Sequence, residues 1–238
     1  MQIAKLNDYK LFENIQIKEF KLLEKQGNSN LTYLIKTQHN RYLLRKFKIS
    51  LNRKREFSIQ KKAFLKNIGA KPILVDEKNG LMITDYLEGR HKTKLTQQEL
   101  KKVALLLKKL HKISVPKKRN SFKDNFTFKD KKVKQAFIVL DKEPKEYTLG
   151  HNDLHAKNII FSKNFIKLID WEYARYSDIY FDLVSIIIEY QLNRKDKNTF
   201  LKSYFGKKRI NKKKIKAYTL IYKELWKLWF KKLERGEL

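Results

Sequence analysis

Hydrophobic and polar residues alternate along much of residues 1–86, with the short period that is typical of β-strands. This alternation predicts strands at 16–25, 31–36, 42–47, 73–75 and 81–86. Turns are predicted at 27–30 and at His39-Asn40, so the second and third strands form a hairpin. Residues 53–67 break the pattern, because their apolar residues recur at helical spacing.

After residue 87 the apolar spacing is mainly helical. Thr96 and Glu99 make a capping box ahead of a helix at 100–110, and residues 113–130 have no regular pattern. Further helices are predicted near 130–141, 179–192, 197–205 and 212–233, with short strands at 158–161 and 165–169. Because strands come first and helices later, we predict an α+β fold: a small sheet lobe at 1–86 and a larger helical lobe at 87–238, joined by a hinge at 85–89.

The composition is that of a folded protein outside the disulfide and membrane classes. Of 238 residues 42% are hydrophobic, and the chain contains no cysteine, which excludes disulfides and cysteine-ligated zinc. The N-terminal residues lack the apolar run of a signal peptide, and no apolar stretch has the length of a membrane span. We therefore expect a soluble cytoplasmic protein.

The chain carries a formal net charge of +31. Such a charge is typical of proteins that bind nucleic acid or anionic membranes, but here the lysines are spread from end to end with no aromatic-interleaved recognition module. We expect no specific nucleic-acid partner and at most a weak attraction to anionic surfaces.

The stretch His151-Asn-Asp-Leu-His-Ala-Lys-Asn158 has the spacing that phosphoryl transfer requires. Asp153 and Asn158 can share one tight loop, with the Asp facing a substrate hydroxyl as general base and the Asn facing a metal. Asp170 closes an apolar strand, where its carboxylate can hold Mg²⁺ beside the phosphates of a nucleotide. Helix caps or surface acids are the alternative interpretation of the two aspartates.

His151-Asn-Asp-Leu and Ile169-Asp-Trp-Glu-Tyr-Ala174 resemble motifs of the choline/ethanolamine kinase and aminoglycoside phosphotransferase superfamily, most closely those of bacterial choline kinases. The resemblance extends from about residue 16 to residue 235. It implies a two-lobed, protein-kinase-like fold, with a nucleotide-binding lobe at 1–86 and a catalytic and substrate-binding lobe at 87–238. It also implies ATP and Mg²⁺ as cofactors, with Asp153 as base and Asn158 and Asp170 as metal ligands.

The resemblance assigns the nucleotide side of the site as well. Gly27-Asn-Ser-Asn30 is similar to the family's phosphate loop, although a second glycine is missing, and Arg45 stands where the family places a strand cation. Glu56, on the next helix, can pair with Arg45. The residues expected to contact ATP are Gly27, Ser29, Asn30, Arg45, Glu56 and, at the adenine-binding hinge, Asp85, Tyr86 and Leu87.

Trp226 and Trp229 lie on one helix face and match the WxxW of choline kinases, where tryptophans build the choline pocket. Plain core packing is the alternative for this pair. Acidic residues cluster between positions 172 and 189, which predicts a site that attracts cations. The residues expected to bind the acceptor are Glu172, Tyr173, Glu189, Trp226 and Trp229.

For some neighbouring residues a structural role, or no role in the chemistry, is the preferred interpretation. Asp182 can instead brace the catalytic loop, His151 and His111 are expected to be structural, and His155 is expected to be an exposed spectator.

We predict an ATP-dependent kinase that phosphorylates choline. Three rivals remain open with the same fold, in which the acceptor is ethanolamine, thiamine or an aminoglycoside. A rival from another class is a basic nucleic-acid-binding or scaffold protein with an inactive kinase fold. The region at 113–147 is short and lysine-rich for this family, so the acceptor contacts that the family carries there are either missing or rebuilt in this chain.

Overall fold

The computed structural model describes residues 6–24, 29–116 and 127–236, and its first part is a five-stranded antiparallel sheet. The strands lie in the order β1-β2-β3-β5-β4. Their bounds are β1 Glu19–Leu22, β2 Asn30–Lys36, β3 Arg41–Phe47, β4 Pro72–Asp76 and β5 Leu81–Asp85. The predicted strands are confirmed, but the first is much shorter than the predicted 16–25. A small core of Ile35, Leu44, Leu81 and Ile83 packs against Leu6 and Phe12 on one face of the sheet.

Helix α1, Arg53–Leu65, follows β3 and begins at an Asn52 cap, whose side chain accepts a hydrogen bond from the backbone N–H of Arg55 at 2.9 Å. Its buried face carries two charged residues, Arg53 and Glu56, as well as Ile59 and Ala63. A helix that serves only to pack against a hydrophobic core would bury apolar residues on this face. The buried charges therefore mark this helix as part of a site.

In the part of the chain that the structure describes, five further α-helices build the second lobe around one large core. They are α2 Gln97–Leu110, α3 Lys131–Lys142, α4 Ile179–Glu189, α5 Arg194–Phe205 and α6 Lys212–Glu234. Helix α2 packs on α5, and α6 packs on both α3 and α4. The predicted capping box at Thr96 and Glu99 is present. Helix α5 starts earlier than predicted because Asn193 caps it, and α4 ends at Glu189, before the predicted 192.

Two small strand pairs hold the loops of the candidate site. The hairpin of β7 (Ile159–Phe161) and β8 (Ile166–Leu168) was predicted, whereas the pair of β6 (Tyr147–Gly150) and β9 (Arg175–Asp178) was not. The loop 151–158 connects β6 to β7, and the segment 169–174 connects β8 to β9. Each connection runs from one strand pair to the other. The two halves of the sequence motif, 151–158 and 169–174, therefore lie next to each other.

The chain passes between the lobes just after β5, and this crossing packs tightly on the β7–β8 hairpin. Arg90 exchanges two backbone hydrogen bonds of 2.9 Å with Phe161. A side chain at Gly89 would bring its Cβ to 2.5 Å from Ile160 Cγ2 and 2.7 Å from the Phe161 oxygen, so only glycine fits. Among the described residues no helix is long and apolar enough to cross a membrane.

Candidate active site

The loop between β6 and β7 places Asp153 and Asn158 in direct contact. The Asn158 Nδ2 donates to the backbone oxygen of Asp153 at 2.8 Å and to its Oδ2 at 2.8 Å. The Asp153 side chain is 14% exposed, so it lies in the cleft with one edge open. Asp153 and Asn158, which are five residues apart in the sequence, are thus hydrogen-bonded to each other, and the Asp153 Oδ1 is left for a substrate.

A buried carboxylate holds this loop from beneath. Asp182 on α4 accepts hydrogen bonds from the backbone N–H of His151 at 2.7 Å and of Asn152 at 2.8 Å, and it contacts His111 Nε2 at 3.1 Å. Asn152 has a left-handed backbone, with φ of 63°, which turns the chain toward Asp153. His151 contacts the backbone oxygen of Ile169 through Nε2 at 3.0 Å. The structure thus gives Asp182, His151 and His111 bracing contacts, in keeping with the structural interpretation of each.

Asp170 faces the same cleft from the segment that follows β8. A backbone hydrogen bond of 3.0 Å from Ile169 to the Asn158 oxygen joins the two connections. Asp170 has φ of 65°, a left-handed conformation that is uncommon outside glycine and that is often found at functional sites. Its Oδ1 accepts a hydrogen bond from Arg45 Nη1 at 3.0 Å. The sequence-predicted metal ligands are therefore neighbours in space.

Arg45 and Glu56 form the ion pair predicted from the sequence. Arg45 Nη2 bonds Glu56 Oε1, and both side chains are almost fully buried. The desolvation of two charges is costly, and it is offset only where the pair is well bonded on all sides. The guanidinium here bonds Glu56 and Asp170 together, so β3, α1 and the segment after β8 share one cation.

A second buried arginine, which the sequence analysis did not single out, completes this network. Arg53 Nη1 lies 2.8 Å from Glu56 Oε2 and 3.0 Å from Glu172 Oε2. Glu172 is only 4% exposed in its side chain, and its Oε2 is also 3.4 Å from Asn30 Nδ2. The carboxylate that was expected to bind the acceptor therefore contacts the sheet lobe in this structure. The only signal for Arg53 in the sequence is its place one turn before Glu56.

The crowding of carboxylates changes their protonation. Burial, followed by the charges of Asp170 and Glu172, raises the pKa of Asp153 to about 8, against the opposing effect of the hydrogen bond from Asn158. Burial also raises the pKa of Asp170, although Arg45 opposes that rise. The Asp170 side chain is 32% exposed, so solvent weakens the effect there. An elevated pKa at Asp153 suits a group that must accept a proton near neutral pH.

Near Asp153 lies a cluster of aromatic side chains with one carboxylate. Glu189 Oε1 accepts a hydrogen bond from the Tyr222 hydroxyl at 2.8 Å. The Tyr222 ring is 6.1 Å from Trp226, and the Trp226 ring is 6.3 Å from His155. Tyr222 was not predicted, and its signal was its place one turn before Trp226 on the same helix face. We call Glu189, Tyr222, Trp226 and His155 the acceptor cluster.

His155 is not the exposed spectator that the sequence led us to expect. Its Nε2 lies 3.8 Å from Asp153 Oδ2, and its side chain is 24% exposed. Burial, together with the charges of His151 and Lys157, lowers the pKa of His155 to about 4, so the imidazole is neutral at physiological pH. Trp229 lies one step farther out, with its ring 5.5 Å from that of Trp226.

The expected cluster of acidic residues divides between site and scaffold. Asp178 caps α4 and pairs at 2.7 Å with the buried Lys214, so it adds nothing to the cleft, contrary to expectation. Tyr173, expected on the acceptor side, shares a hydrogen bond with Ser29 of the sheet lobe, and burial followed by the Glu172 charge raises its pKa to about 12. Glu189 alone of the acids expected to bind the acceptor lies in the acceptor cluster.

The donor chemistry at this place fits Mg²⁺. Among the described residues no hydrogen bond reaches the Asn158 Oδ1, because the amide is oriented by its nitrogen, and the Asp170 Oδ2 is likewise unbonded. One neutral and one charged oxygen, both in a cleft, suit a hard cation. In the described parts of the chain no group of three or more His, Cys, Asp or Glu side chains could hold a metal ion, so Asn158 and Asp170 would bind Mg²⁺ together with other ligands, such as the phosphates of the nucleotide.

The remaining nucleotide contacts expected from the sequence are only partly visible. Gly27 lies outside the described residues. Asn30 is buried and contacts Arg53 and Glu172, while Asp85 ends β5. Burial raises the pKa of Asp85, against the charges of Lys71 and Lys167. Tyr86 and Leu87 follow Asp85 into the crossing between lobes, where the Tyr86 N–H donates to the Arg41 oxygen at 3.0 Å.

Comparison with known proteins places these features in context. Residues 121–210 match the model of a family described as "Phosphotransferase enzyme family". Protein LicA of Haemophilus influenzae is 26% identical over 220 residues, which cover 79% of this chain and 82% of that protein. The crystal structure of choline kinase LicA from Streptococcus pneumoniae has a TM-score of 0.80 at 22% identity, covering 98% of this chain and 92% of the other. LicA in complex with AMP has a TM-score of 0.77, also at 22% identity, covering 99% and 91%.

These matches confirm the predicted resemblance and the predicted protein-kinase-like α+β fold. The matched proteins are kinases and phosphotransferases, which is the class of enzyme predicted for this chain.

Proposed function

We propose that this protein transfers the γ-phosphoryl group of ATP to the hydroxyl of a small cationic alcohol, with choline as the acceptor and phosphocholine as the product. The observation that carries the proposal is the position of Asp153. Its carboxylate is bonded by the candidate metal ligand Asn158 at 2.8 Å, lies 3.8 Å from His155 of the acceptor cluster, and is close enough to Asp170 and Glu189 to feel the charge of both. A base, a metal site and a cation pocket around one carboxylate are the parts that such a transfer needs.

The chemistry follows from the contacts. The hydroxyl oxygen of the acceptor bonds the γ-phosphorus as the bond from that phosphorus to the ADP oxygen breaks, and the hydroxyl proton passes to Asp153. Asn158 holds the Asp153 Oδ2, which keeps the other carboxylate oxygen aimed at the acceptor. Mg²⁺, when bound with the nucleotide by Asn158 and Asp170, supplies positive charge for the phosphates. Arg45 adds a second fixed positive charge next to Asp170.

The preference for a cationic acceptor follows from the charge of the cleft. Among the described residues, five acids and two arginines lie in the cleft or are buried directly beneath it, although the chain as a whole has a charge of +31. They are Glu56, Asp153, Asp170, Glu172 and Glu189 with Arg45 and Arg53. A quaternary ammonium offers no hydrogen-bond donor, so it is bound by aromatic faces and diffuse negative charge. Trp226, Tyr222 and Glu189 supply both.

A primary ammonium would make different use of the same cluster. Ethanolamine can donate hydrogen bonds to Glu189 and to the Tyr222 oxygen, so its binding would depend less on the indole of Trp226. An aminoglycoside would need more carboxylates than this one cluster offers. Because the three kinds of acceptor would depend on different side chains of the cluster, measurements with each acceptor can distinguish them.

An ATP-consumption screen tests the proposal. The purified chain, with Mg²⁺, is offered choline, ethanolamine, thiamine and several aminoglycosides, and ADP release is measured. We expect the highest kcat/KM with choline and no acceptor-dependent ADP release in Asp153→Ala, which should still bind nucleotide. Turnover retained in Asp153→Ala would refute the assignment of the base.

Other outcomes of the screen would favour the rivals. A higher kcat/KM with another alcohol would replace choline by that acceptor. No consumption with any alcohol, together with steeply salt-dependent DNA binding, would favour an inactive kinase fold. In the proposed function the lysine-rich surface has no specific partner beyond a weak attraction to anionic surfaces, and the protein acts in the cytoplasm on a soluble acceptor.

A further inference from the structure

We infer that Arg53 is a positioning residue for the metal-binding segment 170–172, acting through Glu172 in the same way that Arg45 acts through Asp170. The inference rests on the proposed function only in that the cleft binds a nucleotide together with Mg²⁺. In this inference Arg53 extends the Arg45–Glu56 ion pair to Glu172, and Glu172 serves to position the segment rather than to bind the acceptor.

The two arginines are joined by one carboxylate. Glu56 accepts a hydrogen bond from Arg45 at Oε1 and, at 2.8 Å, from Arg53 at Oε2. Each arginine then reaches one acid of the other lobe, Arg45 to Asp170 at 3.0 Å and Arg53 to Glu172 at 3.0 Å. Two arginines of the sheet lobe thus bind the two ends of the segment 170–172, one at each acid.

The residue between the two acids is anchored in the opposite direction. The Trp171 side chain is fully buried in the core of the helical lobe, against His151, whose ring is 4.8 Å away. A Cβ on Gly69 would be only 3.4 Å from the Trp171 ring. Trp171 is fixed in the core of the helical lobe, and its neighbours Asp170 and Glu172 are fixed by arginines of the other lobe. These contacts on both sides hold Asp170 in its left-handed conformation.

Arg53 is itself fixed to the nucleotide lobe. Its guanidinium lies over the Phe47 ring at 4.1 Å from the centroid, and Nη2 is 3.4 Å from the Ile49 oxygen. The side chain is 3% exposed, and its Nε is buried without a hydrogen-bond partner among the described residues. Nη1 serves both carboxylates while Nη2 contacts the Asn30 Oδ1 and the Ile49 oxygen, so the single nitrogen of a lysine cannot make all of these contacts at once.

The loss of Arg53 would strand Glu172 as a buried charge without its cation. The segment would then have to move to reach water, and Asp170 would move with it. Residues that orient metal ligands from behind contribute about 10- to 100-fold to metal affinity or activity. We therefore expect Arg53→Met to weaken Mg²⁺-dependent nucleotide binding by at least about tenfold, while binding of the nucleotide without metal changes little.

Arg55 provides a matched control on the same helix. It also spans the lobes, donating from Nη2 to the Ala174 oxygen at 3.1 Å, but it touches no carboxylate of the site. Calorimetric titration with ATP, with and without Mg²⁺, should show the metal-dependent loss in Arg53→Met and not in Arg55→Met. Arg53→Lys should resemble Arg53→Met. The double variant Arg53→Met/Glu172→Gln should recover part of the loss, because the stranded charge is gone.

A second readout needs neither metal nor nucleotide. Trp226→Phe and Trp229→Phe leave Trp171 as the one tryptophan of the chain. In that background Arg53→Met should shift the Trp171 emission to longer wavelength, and Arg55→Met should not.

The outcomes separate the inference from the proposed function. Equal losses of thermal stability in Arg53→Met and Arg55→Met, with unchanged metal-dependent binding and emission, would overturn the positioning role and leave the kinase proposal intact. The expected binding pattern without turnover of any alcohol would support Arg53 and refute the proposed acceptor chemistry. No Mg²⁺-dependent nucleotide binding in the unaltered chain would overturn both.

Discussion

The side-chain amide of Asn158 donates two hydrogen bonds of 2.8 Å to Asp153, one to its backbone oxygen and one to Oδ2. A candidate metal ligand therefore also orients the candidate base. The amide nitrogen faces the base, and the amide oxygen is left for the metal. An aspartate at this position could coordinate but could not donate, so the two tasks can be separated by substitution.

Asn158→Asp should retain Mg²⁺-dependent nucleotide binding and lose turnover by at least about 100-fold, because Asp153 loses its donor and gains a like charge. Asn158→Ala should lose both properties. Nucleotide titration and initial rates measure the two effects separately. Asn164→Asp, the same change in the exposed turn between β7 and β8, is the control and should alter neither. Full turnover in Asn158→Asp would show that the amide does not orient the base.

Asp153→Asn should make the protein more stable while abolishing turnover. The Asp153 carboxyl is buried beside the charges of Asp170 and Glu172, which raises its pKa to about 8. A neutral amide of the same shape removes that repulsion and can still accept from Asn158, so we expect a gain of about 1 kcal/mol in the free energy of unfolding. Urea denaturation at pH 8.5, where the repulsion is strongest, measures it. A lower stability would contradict the electrostatic picture of the cleft.

Glu56→Gln should be strongly destabilising. The change leaves two buried arginines with one fewer carboxylate between them, and removing one partner of a buried pair costs about 3–5 kcal/mol. Glu77→Gln breaks the exposed pair with Lys54 and should have no measurable effect. Thermal unfolding of the two variants beside the unaltered protein gives the comparison. Similar small losses in both would mean that the network is solvated rather than buried.

Parts of this arrangement could be read from the sequence because they are local. The spacing of Asp153, Asn158 and Asp170 along a loop and a hairpin places them together whatever the rest of the fold does. Arg45 and Glu56 could be paired for a similar reason, since a strand and the next helix are close in the chain.

Other parts depend on contacts that no short window of sequence contains. Arg53 and Glu172 are 119 residues apart, and Asp182 meets His151 across 31 residues. Acids that look alike in the sequence therefore divide into Glu189 in the cleft and Asp178 in the scaffold. The β6–β9 pair was missed because its two strands are separated by the whole segment 151–174, whereas β7 and β8 are joined by a short turn.

Trp226→Ala should raise the KM for choline by about tenfold and the KM for ethanolamine much less. Only the quaternary ammonium depends on the indole face, and such contacts contribute about 0.5–2 kcal/mol. Trp229→Ala is the matched control, since Trp229 touches Trp226 but lies outside the acceptor cluster. Steady-state kinetics with both alcohols gives the ratio. Equal increases of KM for the two alcohols would count against an aromatic cation pocket.

Stability should fall in acid through Asp182. Burial acts to raise the pKa of its carboxyl, but the hydrogen bond and charge of His111 and the N–H of His151 hold it below the ordinary value of 3.8. A pKa depressed in the folded state contributes stability that is fully present above about pH 3.8 and is lost as the pH falls through the folded value. Asp182→Asn should therefore be less stable near neutral pH, and the difference should shrink below pH 4 in urea titrations. A difference that is constant down to pH 2.5 would contradict this assignment.

The convergence of Asn158 and Asp170 on one divalent cation is the relationship on which the proposed chemistry depends. Crystals grown with Mn²⁺ and a non-hydrolysable ATP analogue, measured for anomalous scattering, test it most directly. The account predicts a manganese peak within bonding distance of the Asn158 Oδ1 and an Asp170 carboxylate oxygen, and in contact with the phosphates. A nucleotide bound in the cleft with its metal held elsewhere, and with neither side chain in reach, would contradict it.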